Sequence, residues 1–245
     1  MRPSSFTATC RRALAGLVVL LALAAAGAAR AQDYAALVAA ADRSEADRQA
    51  DAKRDPVRLL GFMAPQPGWK VLDMAAGAGY STELLARAVA PNGKVFAQHF
   101  KPSDKFAARL STPAMANVED LVIPFDEVSR PALHDLDLIS FLFGYHDTTF
   151  LGVDRARMDK ELFDALKPGG ILVVADHAAR AEDGAGVGKT LHRISEATLR
   201  AEIEAAGFTF VAAADFLRHP EDARTDIVFK NPTPVDEFVL KFRKP

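Results

Sequence analysis

Residues 71–82, reading VLDMAAGAGYST, constrain the fold of this chain more than any other stretch. An apolar run meets an acid, Asp73. A turn of small residues, Ala75-Ala76-Gly77-Ala78-Gly79, follows at once, and Ser81 and Thr82 open a helical pattern that continues to Val89. Strand, small-residue turn and helix, in that order, hold a nucleotide-like cofactor at the end of a parallel strand. Glycines let backbone approach the ligand without a Cβ in the way, and the helix start offers unpaired N–H groups. The spacing is not that of the dinucleotide fingerprint G-x-G-x-x-G, whose acid follows about 20 residues later. Here the residue three beyond Gly79 is Thr82.

Strand-like and helix-like patterns alternate along the rest of the chain. Residues 33–51 read as one Ala- and charge-rich helix, and 56–62 as a short second helix closed by Pro65 and Pro67. Strands are expected at 70–73, 94–99, 118–123, 136–143 and 171–175, with helices at 82–89, 103–110 and 154–166. The run 136–143 is apolar throughout, as a strand covered on both faces should be. A helix at 195–206, with Ser195 as N-cap and Gly207 as its stop, precedes two closing strands at 208–213 and 237–242. Alternation of this kind gives a parallel α/β sheet with right-handed crossovers. The last two strands, with no helix between them, suggest a terminal hairpin. The basic end, Lys241-Phe242-Arg243-Lys244, reads as the exposed face of a last strand.

The pattern from Asp73 to Gly79 resembles motif I of the class I S-adenosylmethionine (SAM) methyltransferases, D/E-x-G-x-G-x-G, with Ala75 at the first glycine position. Residues 136–143 (LDLISFLF) resemble that family's fourth strand, and 166–174 (LKPGGILVV) its following turn and fifth strand. YHDTTFLGVDRARM, GKTLHRI, RHPEDAR and DEFVLKFRKP resemble a group of exported bacterial predicted methyltransferases. The resemblance implies an α/β, Rossmann-like class I SAM methyltransferase fold: a mostly parallel seven-stranded sheet with an antiparallel terminal hairpin. It implies S-adenosyl-L-methionine as cofactor, bound by Asp73, Ala75, Gly77, Gly79, His99, Phe125 and Asp126. Gln98 and His99 stand where the family places an acid that grips both ribose hydroxyls. Asp126, preceded by Phe125, stands where the family meets the adenine. The implied activity is methyl transfer to an unidentified small molecule. The alternative is a catalytically degenerate, exported protein of the same fold that binds a small ligand.

In an open α/β sheet, ligands lie beyond the carboxyl ends of the strands. Three histidines, His99, His146 and His177, fall in those loops. Tyr145, His146 and Asp147 occupy the position of the family's acceptor-side residues. His146 is the candidate general base, oriented by Asp147 or Asp176; capping of strand ends by His146 and His177 remains the plainer alternative. His99, His146, His177 and neighbouring aspartates are of the types that suit Zn or Fe, but no H-E-x-x-H or similar spacing supports a metal, and none is expected. Residues 183–190, DGAGVGKT, fall one glycine short of a Walker A loop. Asp183 at the first position would repel phosphate, so the stretch reads as a flexible loop at the rim of the site, with Lys189 solvated.

The first 31 residues read as a signal peptide. Arg2, Arg11 and Arg12 precede an uncharged apolar stretch, and Ala29-Arg30-Ala31 fits a small-x-small cleavage site. Cleavage after Ala31 predicts export, to the periplasm, with no stable membrane insertion afterwards. Residues 32–245 would form one domain with an N-terminal helical extension over about 32–67. Cys10 is the only cysteine, so this mature chain has no disulfide, thiolate metal site or cysteine nucleophile. Without Arg2, Arg11, Arg12 and Arg30, 26 basic residues face 32 acidic ones. A net charge of −6 with no basic cluster points away from nucleic acid.

Overall fold

The computed structural model describes residues 32–245; the predicted signal peptide, its cleavage point after Ala31 and Cys10 lie outside the described residues. Seven strands are present: β1 (Lys70–Met74), β2 (Lys94–His99), β3 (Val118–Val122), β4 (Leu136–Leu142), β5 (Leu166–His177), β6 (Thr209–Ala214) and β7 (Glu237–Arg243). They form one sheet in the order β3-β2-β1-β4-β5-β7-β6. Pairing is parallel from β3 through β5, and β7 runs antiparallel to both β5 and β6. This is the expected architecture, including the antiparallel terminal pair. β1 and β4 are central and apolar because both their faces are covered. Leu72, Ile139, Leu172, Val174 and Leu240 fill one side of the sheet. Val71, Val95, Leu138, Val173 and Val239 fill the other.

The helices are α1 (Tyr34–Val38), α2 (Glu45–Arg54), α3 (Pro56–Met63), α4 (Tyr80–Val89), α5 (Asp104–Leu110), α6 (Arg155–Ala165), α7 (Gly188–Leu191) and α8 (Glu196–Ala205). The single helix expected over 33–51 is broken into α1 and α2. The Ser44 side chain accepts from the Asp47 N–H and starts α2 afresh. Guanidinium groups reach the carbonyls at the break: Arg43 donates to Val38, the last residue of α1, and Arg48 donates to Ala40, Ala41 and Arg43. Ser195 precedes α8 as expected, but its side chain makes no capping bond. The basic end matches its reading only in part: it belongs to the last strand and Arg243 is exposed, but Lys241 is half-buried. β7 is interior, between β5 and β6, and Lys241 lies 4.6 Å over the Phe62 ring.

α2 is tied across the two helices that border the small-residue turn. Arg109 of α5 pairs with Asp47 at 2.7 Å and with Glu83 of α4 at 2.8 Å. The Tyr80 hydroxyl donates to Asp51 at 2.6 Å, and Arg54 lies 4.8 Å over the Tyr80 ring. Among the described residues no helix is long and apolar enough to cross a membrane.

Candidate active site

The turn after β1 is built by an acid that faces inward. Asp73 is fully buried. Its carboxylate accepts from Ser81 at 2.9 Å, Thr82 at 2.7 Å and Ser140 of β4 at 2.7 Å. Burial pushes its pKa up, against the pull of those three hydroxyls. Asp73 therefore clamps the helix start to the neighbouring strand. Ala75 follows with φ +54°, a left-handed position that disfavours a side chain. Its methyl group packs against Gly144 at the end of β4, where a Cβ would come within 2.7 Å. Gly77, at φ +60°, faces open space: a Cβ there would meet nothing nearer than the Ala75 carbonyl at 3.8 Å. Gly79 has a different task. A Cβ on it would strike Arg109 at 2.8 Å and Phe106 at 3.0 Å, so it admits α5. It also precedes α4, whose start has no side-chain cap.

Both polar side chains at the end of β2 hold this turn in place. Gln98 is fully buried; it accepts from the Ala75 N–H at 3.0 Å and donates to the Ile123 carbonyl at 2.7 Å. His99 donates from Nε2 to the Gly77 carbonyl at 3.0 Å, and its Nδ1 lies 2.7 Å from Asp120 of β3. Phe100 comes next and is about half exposed. Its ring lies parallel to Phe125, centroids 5.9 Å apart, and Phe125 lies equally parallel to Phe141. Both faces of Phe125 are thus covered, and the aromatic face open to solvent belongs to Phe100. Asp126 accepts from the Asp154 N–H at 3.2 Å.

The loops after β4 and β5 bring a second set of groups together. Residues Tyr145–Thr149 form one 3-10 turn directly beyond Gly144. His146 is buried on that turn. Its Nδ1 lies 2.7 Å from Asp176, whose other oxygen accepts the His146 N–H at 2.8 Å. Its Nε2 lies 3.2 Å from Asp147 and 3.3 Å from Nδ1 of His192. Both carboxylates named from the sequence therefore reach His146. Burial opposes a charge on the ring, but Asp176 and Asp147 outweigh it and push the pKa up to about 10. The His177 ring stacks on Phe143 and comes within 5.6 Å of His146. Tyr145 turns the other way. Its hydroxyl lies between Asp159 of α6, at 2.8 Å, and Glu202 of α8, at 2.9 Å.

His192 is the group that sequence reasoning missed. It caps α7 at φ +56°. α7 belongs to the stretch expected as a flexible rim loop, yet it is laid directly on the Tyr145–Thr149 turn. A Cβ on Gly188 would come within 2.1 Å of the Thr149 hydroxyl. Lys189 is exposed, as expected. Beyond His192 the chain is pinned to β5: Ile194 donates to the His177 carbonyl at 3.0 Å, and the fully buried Arg193 pairs with Asp222 at 2.8 Å. A histidine within GKTLHRI carries no spacing signal. Only the fold joins it to a residue 46 positions away.

The comparisons with known proteins agree with this arrangement. The model of the ubiE/COQ5 methyltransferase family matches residues 52–183, more than half of the chain. The ubiquinone/menaquinone biosynthesis C-methyltransferase UbiE of Hydrogenovibrio crunogenus is 28% identical over 127 residues, 51% of this chain and 47% of that protein. The matched part spans under half the length of the curated relatives it resembles. Among solved structures, a SAM-dependent methyltransferase from Aquifex aeolicus superposes with a TM-score of 0.61 at 20% identity, covering 82% of this chain and 97% of that one. The cyclase SpnF superposes at 0.59 with 18% identity, covering 82% of each chain. At such identities the likeness shows the fold alone. The strand order, the turn after β1 and the match over 52–183 together place the chain: it belongs to the ubiE/COQ5 methyltransferase family, a class I SAM methyltransferase by fold.

Proposed function

We propose that this chain transfers the methyl group of S-adenosyl-L-methionine to an unidentified small molecule. One observation carries the reading: the Gly77 turn at the end of β1 presents open backbone beside an uncapped helix start. That is the kind of cradle a nucleoside cofactor needs. Gly77 and Ala78 offer backbone to the cofactor, while Asp73, Ala75, Gln98, His99 and Gly79 keep the turn in shape behind them. Phe100, with Phe125 beneath it, offers a flat apolar face for the adenine, and Asp126, next in sequence to Phe125, offers an acceptor for its amine. When bound, the cofactor supplies an electrophilic methyl group on a sulfonium sulfur. The acceptor side lies at His146 and Asp147, on the adjoining β4 exit; Tyr145, with its hydroxyl among α6 and α8, supports the turn from below. We further propose that residues 1–31 are removed after Ala31 and that the remaining domain works in the periplasm.

Calorimetry with SAM and with its demethylated product tests this reading. Micromolar binding of both is the expected result. No binding of either would leave the fold but remove the methyl donor, and the chain would then be a small-ligand-binding protein on a methyltransferase scaffold.

A further inference from the structure

We propose that His146, Asp147 and His192 form a mononuclear site for a divalent transition-metal ion, Zn2+ by best fit. Among the described residues this is the group of three whose ligand atoms all come within 4.8 Å of one another. Nε2 of His146, Oδ1 of Asp147 and Nδ1 of His192 form a triangle with sides of 3.2, 3.3 and 3.6 Å. Tetrahedral Zn2+, at about 2.0–2.1 Å from N and O donors, needs ligand separations of about 3.3–3.4 Å. A point about 2.05 Å from all three atoms lies about 0.6 Å off their plane, against about 0.7 Å in a regular tetrahedron. Octahedral coordination at about 2.1 Å would need edges of about 3.0 Å, shorter than any of the three. Two imidazoles and one carboxylate also suit Zn2+ better than Mg2+ or Ca2+.

The surroundings are those of a held ligand set. Asp176 occupies Nδ1 of His146 at 2.7 Å, which fixes the ring and turns Nε2 toward the cluster. His192 is kept at φ +56°, a conformation that strains a residue with a side chain. The α7 cap on one side and the buried Arg193–Asp222 pair on the other hold it there. Asp147 and His192 are partly exposed, at 36% and 26% of their side chains, so an ion has an entry path. Three protein ligands leave a fourth tetrahedral position for water or for a hydroxyl or thiol of the acceptor. The site reaches His146 and Asp147, the groups placed on the acceptor side above, but its existence does not depend on a methyl donor.

The test uses the untagged full chain, stripped with chelator and titrated with Zn2+ by calorimetry and with Co2+ by visible absorption. One equivalent per chain and the strong visible bands of four-coordinate Co2+ are expected. Loss of an outer-shell partner costs metal sites about 10–100-fold in affinity. His192→Gly should therefore weaken Zn2+ binding about 100-fold or more and abolish the Co2+ bands. Glycine relieves the positive φ, so the metal-free variant should melt no lower than the parent. His134→Ala, at an exposed histidine outside the cluster, should bind as the parent does. Substoichiometric binding by the parent, or unchanged affinity in a folded His192→Gly chain, would overturn the site.

Discussion

Phe100 is the side chain on which the adenosine end of the proposed cofactor depends. It follows His99, it is about half exposed, and its ring already lies parallel to Phe125. An aromatic stacking contact contributes about 0.5–1.5 kcal/mol beyond buried area. Phe100→Ala should therefore weaken binding of the demethylated cofactor about 2- to 13-fold by calorimetry. Unchanged affinity would place the adenine elsewhere. The sequence marked Phe125 for this contact, and the fold sandwiches it between Phe100 and Phe141 instead. The reason is general at this scale. Residue type and strand-end position are readable one residue at a time, but a side chain's partners are not. Asp73 was legible as a strand-end acid. Its third hydroxyl donor, Ser140, lies 67 positions away and becomes a neighbour only through the β1–β4 pairing. Gln98 and His99 likewise sit at the expected strand end, with side chains turned to Ala75 and Gly77.

α7 shows what the sequence conveys poorly about elements. Residues 183–190 lack an apolar period, so nothing local announces a helical turn. Its place comes from the close approach of Gly188 to the Tyr145–Thr149 turn. A methyl group there would lie 2.1 Å from the Thr149 hydroxyl and 2.7 Å from the His146 carbonyl. Overpacking of this kind costs about 1–3 kcal/mol. Gly188→Ala should lower the melting temperature by about 2–10 °C in a thermal scan. An unchanged melting temperature would mean that α7 does not rest on the turn. The strands were easier to read, because each is an apolar run bounded by turn residues. The break between α1 and α2 was not, because Ala-rich sequence favours an unbroken helix. Ser44, Arg43 and Arg48 override that preference by binding the very backbone groups the helix would have used.

At the scale of the whole molecule, one buried proton links the sheet to two helices on its flank. The Tyr145 hydroxyl has one hydrogen and two carboxylate neighbours, Asp159 and Glu202. One of the two acids must carry a proton to donate back. Burial, with Glu202 nearby, pushes Asp159 up to about 7, and its Oδ1 is a buried oxygen with no hydrogen-bond partner. The folded chain thus keeps a proton that the unfolded chain, with an ordinary carboxyl near 3.8, releases earlier. Stability should fall as pH rises between about 4 and 7, since the folded state binds more protons there. Asp159→Asn imitates the protonated form and should remove this slope. Denaturant unfolding at pH 5 and pH 8 would check it; equal slopes in parent and variant would show that Asp159 holds no proton.

The position of β7 bears on the order in which the chain can acquire its structure. Among the described residues β6 pairs with β7 and with no other strand, and β7 leaves the ribosome after it. While β6 and the connection behind it are being made, β5 is a bare edge and β6 has no ladder to join. The sheet can reach only its five parallel strands by vectorial growth. It is then completed in one event, when a late segment slots between two earlier ones and satisfies both at once. A cut anywhere in residues 215–236 would detach that keystone from β6, although every residue of the site lies upstream of the cut.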